Sequence, residues 1–223
     1  MDDLVAPKLL EKLAVKCYNA PLIMEGGSIH SDGEGTLLTT RECLLNDNRN
    51  PHLNQEEIEK ILFQYLDLEK IIWLDKGLFG DETDGHVDNI ACFAKPGVVI
   101  IQECLDPNDP NYKISKDILE VLENTTDAKG RKLEIVKIQQ PPAIYYNGER
   151  LTLSYLNFYF VNGGIILPVF GGTCSKADFA AQKILQDVFP ERKIVSIESM
   201  SIVKEGGNIH CITQQMPGGE INA

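Results

Sequence analysis

The chain has 223 residues, 43% of them apolar, which is enough to fill a sizeable core, and it carries 21 Lys plus Arg against 33 Asp plus Glu. A formal net charge of -12 argues against general binding to a nucleic-acid backbone and suits a cationic ligand. No apolar run approaches membrane-spanning length, and Met1-Asp2-Asp3-Leu4 lacks the basic and apolar regions of a secretory signal, so no membrane partner and a cytoplasmic location are expected.

The elements are predicted as follows. Leu4, Val5, Leu9, Leu10 and Leu13 recur at helical spacing, which predicts a helix over 2–16. Strands over 20–30 and 35–40 follow, joined by the turn Ser31-Asp32-Gly33-Glu34, and then a polar loop over 46–51. Asn54 with Glu57 three residues later resembles a capping box, and Ile58, Ile61, Leu62, Tyr65 and Leu66 form the apolar stripe of the helix it starts. The strand Lys70-Ile71-Ile72-Trp73-Leu74 completes a strand, strand, helix, strand unit.

The same order returns twice. Strands at 88–94 and 97–102, a helix at 114–124 and a strand at 133–138 form a second copy; strands at 155–161 and 164–169, a helix at 176–188 and a strand at 193–197 form a third. A fourth copy starts at Gly206 and stops. Repeats of roughly 50–65 residues favour a radial array over an ordinary mixed α/β domain, and glycine pairs at 26, 163 and 206 recur with it.

Chemistry concentrates in two stretches. In Gly80-Asp81-Glu82-Thr83-Asp84-Gly85-His86-Val87-Asp88-Asn89, strand alternation would put His86 and Asp88 on one face. A calcium loop counted from Asp81 fails, because its fifth residue is Gly85 and its twelfth Cys92; a solvated acidic loop is the plain alternative. The second stretch, Glu205-Gly206-Gly207-Asn208-Ile209-His210-Cys211-Ile212-Thr213-Gln214-Gln215, echoes Glu25-Gly26-Gly27-Ser28-Ile29-His30-Ser31 but carries a thiol where the first copy has a hydroxyl. The other cysteines, at 17, 43, 92, 104 and 174, lie far apart with no CxxC pair, which fits reduced thiols, and a zinc site from His86, Asp88, His210 and Cys211 matches no usual spacing. Asn124-Thr125-Thr126 is a glycosylation sequon without other signs of secretion. Strand parity directs His210 away from Cys211, so His86 is the better base and His30 is read as structural.

EGGSIHSDGEGTLLTTRECLLNDNRNPHL, DETDGHVDNIACF and EGGNIHCITQQMP, in that order, resemble the agmatine deiminase family of the guanidine-modifying (pentein) superfamily, from about Asp2 to Pro217. The resemblance implies a five-bladed α/β propeller of ββαβ repeats, incomplete here, as a single domain over 1–223. It implies a hydrolase that converts agmatine and water to N-carbamoylputrescine and ammonia through an S-amidino-cysteine, with no cofactor and no metal. In that reading Cys211 is the nucleophile, His86 the general acid and base, Glu25 the carboxylate supporting His86, and Asp88 a guanidinium-binding carboxylate. Family members carry a further segment before the position matching Asp2, with a second guanidinium-binding aspartate, so an open site, slow turnover of agmatine or mere guanidine binding is the expectation for these 223 residues. Arginine deiminase and peptidylarginine deiminase are the nearest alternatives, and a homo-oligomer is compatible with the sequence.

Overall fold

The computed structural model describes residues 4–216. Its first helix, α1 (Val5–Lys12), buries none of its residues. It is shorter than the helix expected over 2–16, because Ala14 adopts a left-handed φ of 54° just past its end. Residues 20–25 are irregular rather than strand; a 3-10 turn, Gly26–Ser28, then leads into β1 (Ile29–Ser31). Asp32 closes the following turn by accepting from the Glu34 and Thr36 amides at 2.8 and 2.9 Å, which launches β2 (Thr36–Thr40).

Thr40 caps the short α2 (Arg41–Leu44), and the expected capping box starts α3 (Gln55–Leu66): Asn54 Oδ1 accepts from the Glu57 amide at 3.1 Å and Glu57 Oε2 from the Asn54 amide at 2.8 Å. The chain returns as β3 (Lys70–Leu74). Antiparallel pairing of β1 with β2 and parallel pairing of β2 with β3 set Leu38 between His30 and Ile72.

The unit repeats with β4 (Ala91–Lys95), β5 (Val98–Glu103), α4 (Asn111–Glu123) and β6 (Glu134–Gln139). A two-stranded ribbon, β7 (Tyr145–Tyr146) with β8 (Glu149–Arg150), precedes the third unit. That unit is β9 (Tyr159–Val161), β10 (Gly164–Val169), α5 (Ser175–Val188) and β11 (Lys193–Glu198). Each unit has the same sheet, an antiparallel hairpin extended by a parallel strand after a helix. The expected ββαβ repeat is therefore present three times. Two details differ: Gly163 sits in the turn between β9 and β10 and leads into no unit, and beyond α6 (Met200–Val203) the described residues form turns without a fourth-unit strand.

Strand alternation explains how the units stack. In β2, Leu37 joins Ile58 and Leu62 of α3, whereas Leu38 joins Ile118 and Leu122 of α4 on the other face. In β5, Val99 and Ile101 face α4, whereas Ile100 faces Ala181 and Leu185 of α5. Helices and sheets thus alternate, each of α4 and α5 filling the gap between two sheets, which is why these strands are apolar on both faces. The far face of the third sheet leaves Val195 and Ile197 exposed.

Candidate active site

The segments that lead into the units converge at one edge of this stack. They share a pattern: a small buried polar residue followed by an apolar or aromatic one, as in Ser28-Ile29, Asn89-Ile90, Asn157-Phe158 and Asn208-Ile209. A cavity of about 1010 Å³ opens there, lined among others by Glu25, Gly27, Asp32, Glu82, His86, Glu205, His210 and Cys211.

His86 and Asp88 do not lie on a strand. They flank Val87 in the 3-10 turn Val87–Asn89 that precedes β4, with His86 at its cap, and both are buried. Tertiary packing brings Cys211 to them: its sulfur lies 3.6 Å from Asp88 Oδ2. The backbone of Gly27 closes the other side. A Cβ there would stand 2.5 Å from His86 Nδ1 and 2.7 Å from Asp88 Oδ2, so only glycine fits.

Glu25 Oε2 is 3.6 Å from His86 Nε2, within ion-pair reach. Beneath it, the buried Arg49 donates from Nε to both Glu25 oxygens at 3.0 and 2.9 Å, from Nη2 to the Thr83 carbonyl at 2.8 Å, and pairs with Asp84 at 3.3 Å. His86 first, and then Arg49, hold the Glu25 carboxyl down to about 2 against the opposing effect of burial. Arg49 ties the first lead-in to the acidic loop ahead of His86.

His210 is displaced from its expected position. Residues 208–213 form turns, so strand parity does not apply, and His210 Nδ1 bonds Asp88 Oδ2 at 2.9 Å. His30 does behave as a structural residue: its Nδ1 accepts from the Phe93 amide at 3.2 Å, and burial pushes its imidazole down to about 4, with His210 adding to the effect.

Cys211 faces the cavity with its sulfur against Asp88 and Asn157. Partial burial of the sulfur, with Asp88 beside it, pushes the thiol up to about 11. Among the described residues, Oδ1 of Asp88 and both ring nitrogens of His86 are buried without a hydrogen bond, Nε2 having only the longer ion pair to Glu25. Unused lone pairs on a buried carboxylate call for a cationic N–H donor.

Glu25, Cys43 and His86 are the one set of metal-capable groups found among the described residues, their atoms within 4.8 Å of one another. Arg49 already occupies both Glu25 oxygens and burial pushes the Cys43 thiol up to about 12, so this set does not fit a metal ion.

Sequence reasoning placed Cys211, His86, Asp88 and Glu25, and the fold brings all four together. It missed Arg49, Asn157 and the closeness of Gly27, and it misdirected His210. The signal for Asn157 was available in the lead-in pattern, one residue before the aromatic start of the third unit.

Comparison with known proteins finds relatives that match nearly all of this chain. A Legionella pneumophila protein named as a candidate agmatine deiminase is 51% identical over 217 residues, covering 97% of this chain and 62% of that protein. The solved agmatine deiminase of Enterococcus faecalis superposes with a TM-score of 0.91 at 40% identity, covering 97% of this chain and 63% of the other. The substrate-bound C315S agmatine deiminase of C. jejuni gives 0.87 at 33% identity, covering 94% and 61%. The chain thus spans less than two thirds of the length of these relatives. Residues 1–217 match the model of one family, and on that match together with these relatives the chain belongs to the Porphyromonas-type peptidyl-arginine deiminase family.

Proposed function

We propose that this chain carries the hydrolytic site of an agmatine deiminase, with Cys211 as nucleophile, His86 as general acid and base, Asp88 as guanidinium ligand and Glu25 as the carboxylate that orients His86. The observation that supports this most directly is the buried Oδ1 of Asp88, which has no hydrogen bond among the described residues, in the carboxylate whose Oδ2 contacts the Cys211 sulfur. A guanidinium is planar and permanently charged; bound to Asp88, it sets its central carbon before the sulfur and offsets the Asp88 charge, which adds to burial in raising the thiol.

In this reading His86 carries the protons for both halves of the reaction. Cys211 loses its proton to His86 and the thiolate attacks the guanidinium carbon; His86 returns the proton to the departing nitrogen and ammonia leaves. Water enters, His86 takes its proton, the resulting hydroxide adds to the S-amidino carbon, and the C–S bond breaks to give N-carbamoylputrescine and the free thiol. Acidic groups on the cavity wall, Asp32, Glu82 and Glu205, favour a substrate with a distal ammonium over free arginine, whose carboxylate they would repel. Arg41, Arg49, Arg131 and Arg150 are held by Asp75, Glu25, Asp127 and Asp109, whereas Lys95 and Arg192 also line the cavity, Arg192 donating to the Val161 carbonyl at 3.1 Å, so the comparison of agmatine with free arginine is the deciding one. Six unpaired cysteines fit a reducing, cytoplasmic setting.

The test is ammonia release and intact-mass analysis with agmatine, free arginine and a peptidyl-arginine. Agmatine should be preferred and should leave an amidino adduct on Cys211, and Cys211→Ser should abolish both turnover and adduct. An adduct on Cys43 or Cys92, or preference for arginine, would overturn the assignment.

A further inference from the structure

Asn157 touches the reacting sulfur although nothing in the catalytic scheme assigns it a role. It is fully buried on the lead-in to the third unit, 54 positions before Cys211. Its side-chain orientation is fixed by its neighbours. Two backbone donors converge on Oδ1, the His210 amide at 2.9 Å and the Cys211 amide at 3.4 Å, so the other end must be the NH2 group. That Nδ2 has two acceptors, Asn89 Oδ1 at 3.1 Å and the Cys211 sulfur at 3.3 Å. The Asn157 carbonyl also accepts from the His210 amide, at 3.1 Å.

One side chain therefore binds the backbone that carries the nucleophile, the nucleophile itself, and the turn that carries His86 and Asp88. Ser154 reinforces the link by donating to the Asn89 carbonyl at 2.8 Å. The polar atoms around the sulfur have opposite effects. Asp88 Oδ2 at 3.6 Å and Asn157 Oδ1 at 3.5 Å can accept from the thiol and oppose a thiolate, whereas Asn157 Nδ2, nearest of the three at 3.3 Å, is a donor to it.

We propose that Asn157 is the positioning residue of the nucleophile, holding the Cys211 backbone through Oδ1 and stabilising the Cys211 thiolate through Nδ2. This rests on Cys211 being the nucleophile, but it is tested without turnover. The measurement is the pH dependence of Cys211 alkylation by iodoacetamide in the free protein, followed by peptide mass mapping. Exposed Cys17 in the same sample serves as the reference thiol.

Asn157→Asp keeps the size and the Oδ1 acceptor but replaces the donor with a carboxylate oxygen, so the midpoint should rise by one pH unit or more and the rate at pH 8 should fall about tenfold or more. Asn157→Ala removes both contacts and should shift the midpoint in the same direction. A residue with only a packing role would leave the midpoint in place in Asn157→Ala, which removes the donor without adding a charge, and a wild-type profile in that variant would overturn the proposal. If Asn157→Ala fails to fold, the profile of Asn157→Leu, close in size and uncharged, decides. Absence of agmatine turnover in the wild type would count against the proposed function and would leave this result standing.

Discussion

At Gly27 the place of a side chain is already taken by His86 and Asp88. Gly27→Ala would push one or both away by a sizeable fraction of an ångström, and misplacement on that scale costs on the order of a hundredfold in rate. We expect kcat for agmatine to fall by about that factor with little change in the melting temperature; an unchanged kcat would contradict the packing described. Gly207, with φ of +77° and its Cβ position 3.0 Å from Cys211 Cβ, is a second glycine that backbone geometry requires. His30 gives the site a stability signature. Because burial lowers its folded value from 6.5 to about 4, the unfolded chain binds more protons in that interval, so its contribution is intact above about pH 6.5 and lost as the pH falls towards 4. Glu25, lowered from 4.5 to about 2, adds a second loss below pH 4.5. Urea midpoints should decline from pH 6.5 to 4, and His30→Gln should flatten that decline.

The helices matter here as spacers. α4 presents Ile118 and Leu122 to a cluster that contains Leu38 and Leu74 from the first sheet and Val99 and Ile101 from the second. Leu122→Ala would leave a cavity between two sheets that cannot both close on it, and we expect a loss of about 2–5 kcal/mol by urea denaturation. Because the loops that carry Glu25 and His86 hang from those two sheets, agmatine turnover should also fall in that variant. Helix starts were the most legible part of the sequence: the Asn54 and Glu57 box formed as expected because capping depends on residues three apart. The first strands of the units were the least legible. The strand expected over 20–30 shrinks to Ile29–Ser31, and that over 155–161 to Tyr159–Val161, because the preceding residues spend their hydrogen bonds on loops at the site.

Across the whole molecule, each unit delivers one piece of chemistry to a common edge. The first brings Glu25 and Gly27, the second His86 and Asp88, and the third Asn157, with Cys211 following it. A scaffold of alternating sheets and helices holds those loops within a few ångströms although they lie far apart in sequence. The excess of acidic groups seen in composition recurs locally as Asp32, Glu82 and Glu205 on the cavity wall, which also carries Lys95 and Arg192.

The sequence by itself determined the repeat, since apolar periodicity and caps are local properties, and it marked Cys211, His86, Asp88 and Glu25 through motifs that resemble a known family. Only the tertiary structure decided how those groups meet. His210 was misread because parity presumes a strand, and the chain there forms turns that aim its ring at Asp88. Arg49 fell in an expected loop and Asn157 in an expected strand; packing between units buried both, turning Arg49 to Glu25, Thr83 and Asp84, and Asn157 to Asn89, His210 and Cys211. Buried hydrogen bonds of this kind depend on contacts between distant segments, and no spacing along one segment records them.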